Sequence, residues 1–259
     1  MAKPPFIRLP GVAPIPILYE DRAALALDKP AGWLIAPAHW LQTRRNLQAA
    51  IESSIAHGDF WARSRGLKFL RFVHRLDAET SGVMLWAKSP GAVDAFGELF
   101  ERREVEKIYW AVVAGRPKER EWICALPIGP HPRERGRYRV DARAGKPAET
   151  RFRLLQTRGG LSLLEARPVT GRTHQIRIHL AASGCPVLGD PLYGRPGRDE
   201  YLGLRSVALR YTDPFTRRFV DIWAPVAEFC RRFGFDVPEA EAARIGIGPG
   251  QPPGQNAPK

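Results

Sequence analysis

Asp77 is the side chain with the strongest case for chemistry, because it is a carboxylate set among apolar neighbours. Residues 71–89 read RFVHRLDAETSGVMLWAKS, with Phe72, Val73 and Leu76 before the acid and Val83, Met84 and Leu85 after it. Burying a carboxylate there is costly unless a cation or a set of donors meets it. Arg75 and His74 are adjacent partners. Thr80-Ser81-Gly82 adds hydroxyls and a residue that tolerates positive φ, so the chain can turn sharply beside the carboxylate. The segment therefore presents an acid at the mouth of a cleft, where it can act as nucleophile or base. Two plainer readings compete. Asp77 can cap a turn by accepting from the Thr80 or Ser81 backbone. It can also pair with Glu79, which on a strand would share one face about 6.5–7 Å away, as in a glycoside hydrolase.

Metal chemistry is not suggested. His174 and His179 are separated by five residues, without the H-E-x-x-H arrangement, and the three cysteines, Cys124, Cys185 and Cys230, form no C-x-x-C pair. An odd, scattered set of thiols fits a reducing cytosol rather than a disulfide framework. The N-terminus has no apolar core with a cleavage site, and no apolar run approaches the ~18 residues of a membrane span. The expectation is a soluble, unexported cytoplasmic protein, monomeric, with no cofactor and no obligate protein partner. Lys+Arg 40 against Asp+Glu 27 gives a net charge of +13, which favours fast, salt-sensitive encounter with polyanions and makes RNA the leading partner. A solvated surface explains the same excess more blandly. With 259 residues, 44% of them hydrophobic, the chain can build a full core.

The elements that must position Asp77 are short. Five prolines in residues 1–16 predict an extended arm. Residues 17–28 suggest two strands about a turn at Glu20-Asp21, broken at Lys29-Pro30. Asn46 is a good N-cap for a helix that ends at Gly58. Ser89-Pro90 opens a second helix over 90–103, with Val93, Phe96, Leu99 and Phe100 on one face. Residues 107–114 read as a buried strand and 116–121 as its polar turn. The Gly-, Pro- and Arg-rich residues 129–147 look like an exposed insertion with a strand at 138–140. Strands follow at 149–156 and 161–169, then a helix over 173–183 capped by Thr173 and stopped at Gly184. Strands near 205–212 and 218–223 and a helix over 225–233 complete the body. The Gly/Pro-rich tail, 238–259, is expected to be disordered. Many short strands without regular βαβ alternation predict an α+β fold, a mainly antiparallel sheet with helices packed on it.

Four segments in order, DKPAGWLIAP at 28–37, HRLDAETSG at 74–82, KIYWAVVAG at 107–115 and GRTHQIRIHLAASGCPVLGDPLYG at 171–194, resemble the RluA-type pseudouridine synthases. Together they span most of residues 17–224. The resemblance implies a catalytic domain over 17–237, a bent mixed sheet with a cleft across its middle, and conversion of uridines in rRNA or tRNA to pseudouridine. It implies that Asp77 is the essential catalytic aspartate, that a basic residue from HQIRIH, Arg177, pairs with it, and that Tyr109 stacks on the base with its hydroxyl placed to help move the carbon-5 proton. Such an ion pair holds the carboxylate charged and fixes its rotamer. Arg172 is the competing partner.

The target uridine must leave its stack, and Arg75 can fill the vacated space. Lys29, Lys107 and Arg172 are further candidates for RNA contact, and Lys29 is alternatively structural. His74 is read as structural and Asp190 as a turn residue. Ala36 stands where relatives commonly carry a His, and no separate RNA-binding domain precedes residue 17. A non-catalytic RNA-binding protein that kept the fold is the remaining alternative, against which Asp77, Tyr109 and Arg177 argue.

Overall fold

The computed structural model describes residues 2–35, 45–194 and 201–239. Residue 36 and the tail beyond 239, about which the sequence raised expectations, lie outside the described residues. In chain order the elements are β1 (Phe6–Ile7), β2 (Ile15–Glu20), β3 (Ala24–Lys29), α1 (Leu47–Ala56), α2 (Phe60–Arg63), β4 (Arg71–Phe72), β5 (Ser81–Ala87), α3 (Pro90–Glu101), β6 (Glu106–Ala114), β7 (Glu121–Cys124), β8 (Ile128–Pro130) and β9 (Tyr138–Val140). The remainder are β10 (Thr150–Arg158), β11 (Leu161–Pro168), α4 (Gln175–Ala182), β12 (Leu204–Thr212), β13 (Phe219–Trp223) and α5 (Ala227–Arg232). The fold is α+β, as expected.

Eleven strands form one sheet in the order β1-β2-β3-β5-β12-β6-β11-β10-β7, with β4 on β5 and β13 on β12, while β8 and β9 make a separate hairpin. Among the described strand pairs only β5 with β12 is parallel, and it is brief: Ser81 faces Arg205 and Gly82 faces Ser206. From Ala208 onward the same edge of β12 is taken by β13. Two strands share one edge, so the sheet divides and bends at its centre.

The period-2 alternation of strand side chains separates the core into faces. Leu25, Leu27, Met84, Trp86, Tyr109 and Ala111 point to the side covered by α1 and α2. Ala24, Ala26, Val83 and Leu85 point to α3, with Leu209 and Tyr211. Ile108, Trp110, Val112 and Val207 meet the residues around α5. Strands buried on both faces read as continuous apolar runs, which is why β3, β5 and β6 are legible in the sequence.

Asn46 caps α1 by accepting from the Ala49 backbone at 3.2 Å, and Ser89 caps α3 by accepting from Ala92 at 3.2 Å. Four details differ from expectation. Part of the Pro-rich arm is strand, since Phe6 and Ile7 pair with Pro16 and Ile15 and bury Ile7 at the sheet edge. The polar turn after β6 gives way to β7, which pairs with β10. The single-turn helix α2 was too short for a periodic signal. Thr173 is not the cap of α4: His174 occupies that position, in the left-handed region at φ 56 and without a capping side-chain bond.

Candidate active site

Asp77 lies in the loop that joins β4 to β5, not on a strand, so the strand spacing expected for Asp77 and Glu79 does not apply; Glu79 instead approaches the same terminal nitrogen of Arg177 as Asp77 does, at 3.7 Å. Lys29, at the end of β3, shapes this loop. Its ammonium is enclosed and donates to the carbonyls of Ala78 and Thr80, each at 2.9 Å, and of Pro30 at 3.0 Å. Lys29 is 0% exposed, which corrects its reading as an RNA contact: its charge is consumed by backbone oxygens behind the loop. Burial lowers its pKa to about 8, with Asp77 and Glu79 opposing. The loop closes through the Thr80 amide, which donates to the Asp77 backbone carbonyl at 3.2 Å. The carboxylate is thus not needed as a turn cap.

Gly82 lets the loop enter the sheet. Its φ is +115, and a Cβ there would overlap the Ser206 carbonyl across the parallel β5–β12 contact.

The partner of Asp77 comes from α4. Arg177 is 1% exposed, and one terminal nitrogen donates to Asp77 Oδ2 at 3.2 Å. Its Nε and other terminal nitrogen donate to Asp190 at 2.8 and 2.7 Å. Asp190 is a turn residue as well, accepting from the Leu192 and Tyr193 amides at 2.9 and 3.1 Å. Burial opposes the charges of both groups, but their mutual attraction prevails, holding Arg177 above and Asp190 below their usual pKa ranges. Arg172 is turned elsewhere: its Nε donates to the Pro147 carbonyl at 3.0 Å. The two arginines are separated by geometry that their types could not reveal.

Gln175 anchors the segment that carries Arg177. Its oxygen accepts from Thr170 Oγ1 and the Arg172 amide at 2.6 and 3.0 Å, and its nitrogen donates to the Glu149 carbonyl and Thr150 Oγ1, both at 2.9 Å. His174 stands beside Asp77, with Nε2 3.9 Å from Oδ1 and Nδ1 2.9 Å from the Tyr193 hydroxyl. Burial lowers the His174 pKa, with Asp77 opposing. Neither His174, Tyr193 nor Gln175 was singled out as a site residue from the sequence. The only trace of them was their place inside the 171–194 segment.

These groups open onto one cleft of about 570 Å³, lined by Arg75, Asp77, Lys107, Tyr109, Arg172 and Arg177 among others. Tyr109 lies on β6 and is 8% exposed; burial, with Asp77 adding, raises its pKa, so the hydroxyl keeps its proton at neutral pH. Lys107 donates to the Thr170 carbonyl at 3.3 Å, and burial, with Arg103 adding, lowers its pKa to about 8. Arg75 is exposed at the rim. His74 is structural, as expected: Nε2 accepts from the Leu85 amide at 3.0 Å, and the ring stacks on Phe100. Burial, with Lys107 adding, lowers its pKa to about 3.

Six of the seven candidate residues line the cleft, and Lys29 supports it from behind. Among the described residues no group of three or more His, Cys, Asp or Glu is arranged to hold a metal ion, and no helix is long and apolar enough to cross a membrane.

Residues 23–182 match the model of a family described as RNA pseudouridylate synthase. The chain is 39% identical over 204 residues to an uncharacterized RNA pseudouridine synthase of Chloroflexus aurantiacus, covering 77% of this chain and 62% of that protein. It is 33% identical over 236 residues to ribosomal large subunit pseudouridine synthase C of Vibrio cholerae, covering 86% and 70%. Among solved structures, human RNA Pseudouridylate Synthase Domain Containing 1 is similar with a TM-score of 0.65 and 27% identity, covering 82% of this chain and 83% of that one. The alignments take in only 56% and 62% of the length of two such curated relatives.

Proposed function

Since the chain belongs to the RNA pseudouridylate synthase family, in its RluA-type branch, we propose that it isomerises selected uridines of structured RNA to pseudouridine, with Asp77 as the essential group. The net change breaks the bond from ribose C1′ to uracil N1, turns the base and forms a bond from C1′ to C5, while C5 gives up its proton to water and N1 takes one up. No electrons are exchanged, and the atoms balance without a co-reactant. The step needs an anionic side chain against the nucleoside and a base removed from its stack. The observation that carries the reading is the Asp77–Arg177 contact at 3.2 Å opening onto the same cleft as Tyr109.

Each residue then has a task. Arg177 fixes one carboxylate oxygen and leaves Oδ1 to face the nucleoside. Tyr109 offers a ring for the flipped uracil to lie on and a protonated hydroxyl at its edge. Arg75, exposed at the rim with no partner among the described residues, fills the gap left in the RNA stack. Lys107 and Arg172 supply positive charge to the phosphates along the cleft. The names of some relatives favour large-subunit ribosomal RNA as the substrate, and transfer RNA is the second candidate, from the sequence resemblance. The cytosol, as a monomer, is the proposed place and form of action.

The test is tritium release from transcripts made with 5-tritiated uridine, one of large-subunit ribosomal RNA and one a pool of transfer RNAs. Release from either supports a synthase and selects the substrate. RNA binding without release from either would leave the non-catalytic RNA-binding protein in its place.

A further inference from the structure

The turn between β12 and β13 is built with unusual care for a feature exposed to solvent. Asp213 is 2% exposed, and its Oδ1 accepts from the Phe215 amide, the Thr216 amide and Thr216 Oγ1 at 2.9, 2.6 and 2.9 Å. Backbone bonds from Asp213 to the Arg218 carbonyl and from Arg217 to the Asp213 carbonyl, at 2.8 and 2.9 Å, close the loop. Arg217 is held at φ 59, a left-handed conformation that ordinary side chains seldom adopt. This rigid frame presents apolar rings and charge to water together. Phe219 is 69% exposed, the most exposed large apolar side chain among the described residues, and Phe215 is 54% exposed.

The charge at the tip is free where that of the hairpin body is neutralised. Arg210, on β12, is paired with Asp221 at 3.0 Å and Glu106 at 3.3 Å. Arg217 and Arg218 are exposed and have no carboxylate partner among the described residues. The turn is also connected to the cleft. The Phe215 ring meets Phe96 of α3 edge-on at 6.0 Å. One turn further along α3, about 6 Å by helical rise, Phe100 stacks on His74 and lines the cleft. Arg103, just past the end of α3, lines the cleft too.

We propose that residues 213–219 form a second RNA-binding surface, outside the cleft, where Phe219 stacks on an unpaired base and Arg217 and Arg218 hold the phosphates on either side. An exposed aromatic ring beside two exposed arginines without a carboxylate partner among the described residues matches single-stranded RNA, whose bases stack on any π-face and whose backbone attracts guanidinium groups. The proposal rests on RNA being the substrate. It adds a determinant of affinity remote from the reacting uridine.

The experiment uses the full chain, a short fluorescein-labelled oligouridylate for anisotropy, and the tritiated ribosomal transcript for turnover. Phe219→Ala and Phe219→Leu are expected to weaken oligouridylate binding about tenfold. Phe219→Trp keeps it, because stacking rather than bulk is at issue. Arg217→Asn with Arg218→Gln, in which Asn suits the left-handed backbone, lowers the slope of log affinity against log salt by about 1.4, some 0.7 per phosphate on a single strand. Phe219→Ala, Phe219→Leu and the double arginine variant raise KM for the transcript and leave kcat unchanged, and Phe219→Trp leaves both unchanged. Wild-type-like affinity, slope and KM in folded variants overturn the proposal. So does self-association of the wild type that Phe219→Ala abolishes without touching RNA affinity, which reassigns the turn to contact with a second copy. A wild-type chain that neither binds nor turns over RNA refutes the function itself and takes this surface with it. A functional wild type with indifferent variants refutes only the surface.

Discussion

Arg177 gives two of its hydrogen bonds to Asp190 and a single, longer one to Asp77. Asp190 is therefore the main anchor of the guanidinium, and the contact to Asp77 is the longer one. In Asp190→Asn the buried guanidinium loses its closest carboxylate and keeps only the longer contacts to Asp77 and Glu79, so stability falls by about 3–5 kcal/mol. In whatever fraction stays folded, displacement of Arg177 lowers kcat about a hundredfold. Urea titration and tritium release measure the two. Unchanged kcat in a folded variant would show that Asp190 serves only its turn.

Asp77→Asn keeps the shape of the loop, because Lys29 and the Thr80 amide, not the Asp77 carboxylate, define it. Turnover is expected to vanish while affinity for the ribosomal transcript stays within a few fold. Substantial tritium release from a purified variant would remove Asp77 from the chemistry.

Lys107 is expected to make RNA affinity fall with alkalinity. Its pKa is lowered to about 8 by burial, so the folded protein loses this charge as pH rises from 7 to 9, below the usual lysine range. The sign for stability is opposite. Between about 8 and the unfolded value of 10.5 the unfolded chain binds more protons at this position, so its contribution to stability rises with pH. Lys107→Met should flatten the affinity profile over pH 7–9 relative to wild type. Parallel profiles for the two proteins would place the ammonium away from the RNA.

Gly82→Ala combines a disfavoured φ with an overlap on the Ser206 backbone. Backbone cannot give way as a flexible side chain does, so a loss of about 3 kcal/mol or more is expected, together with reduced turnover. A thermal melt within a degree or two of wild type would mean that β5 and β12 can separate at no cost.

The parts of the molecule legible in the sequence are those set by local pattern. The apolar runs of β5 and β6 declare strands buried on two faces, and Asn46 and Ser89 announce helix starts by the chemistry of their side chains. Asp77 stands out because an acid among apolar residues demands a partner. What stayed hidden depends on distance in the chain. Lys29 looks like any lysine before a proline until three carbonyls converge on it. Asp190 looks like a turn former until Arg177 arrives, and His174 reveals its left-handed backbone only in three dimensions. The choice between Arg172 and Arg177 is likewise tertiary, since Pro147 claims one and Asp77 the other.

The brevity of the β5–β12 contact reaches further than the shape of the sheet. Two facing residue pairs, reinforced by Arg205 to Asp28 at 2.7 Å and Ser206 to the Val83 carbonyl at 3.2 Å, join the halves of the structure there. Asp77, tied through Lys29 to β3, belongs to one half; Tyr109 on β6, which pairs with β12, belongs to the other, and Arg177 reaches across from α4. The Asp77–Arg177 ion pair thus also spans the seam where the sheet divides. Mild denaturant that slackens this joint would part Asp77 from Arg177, and with them the proposed turnover, while most of the secondary structure still stands.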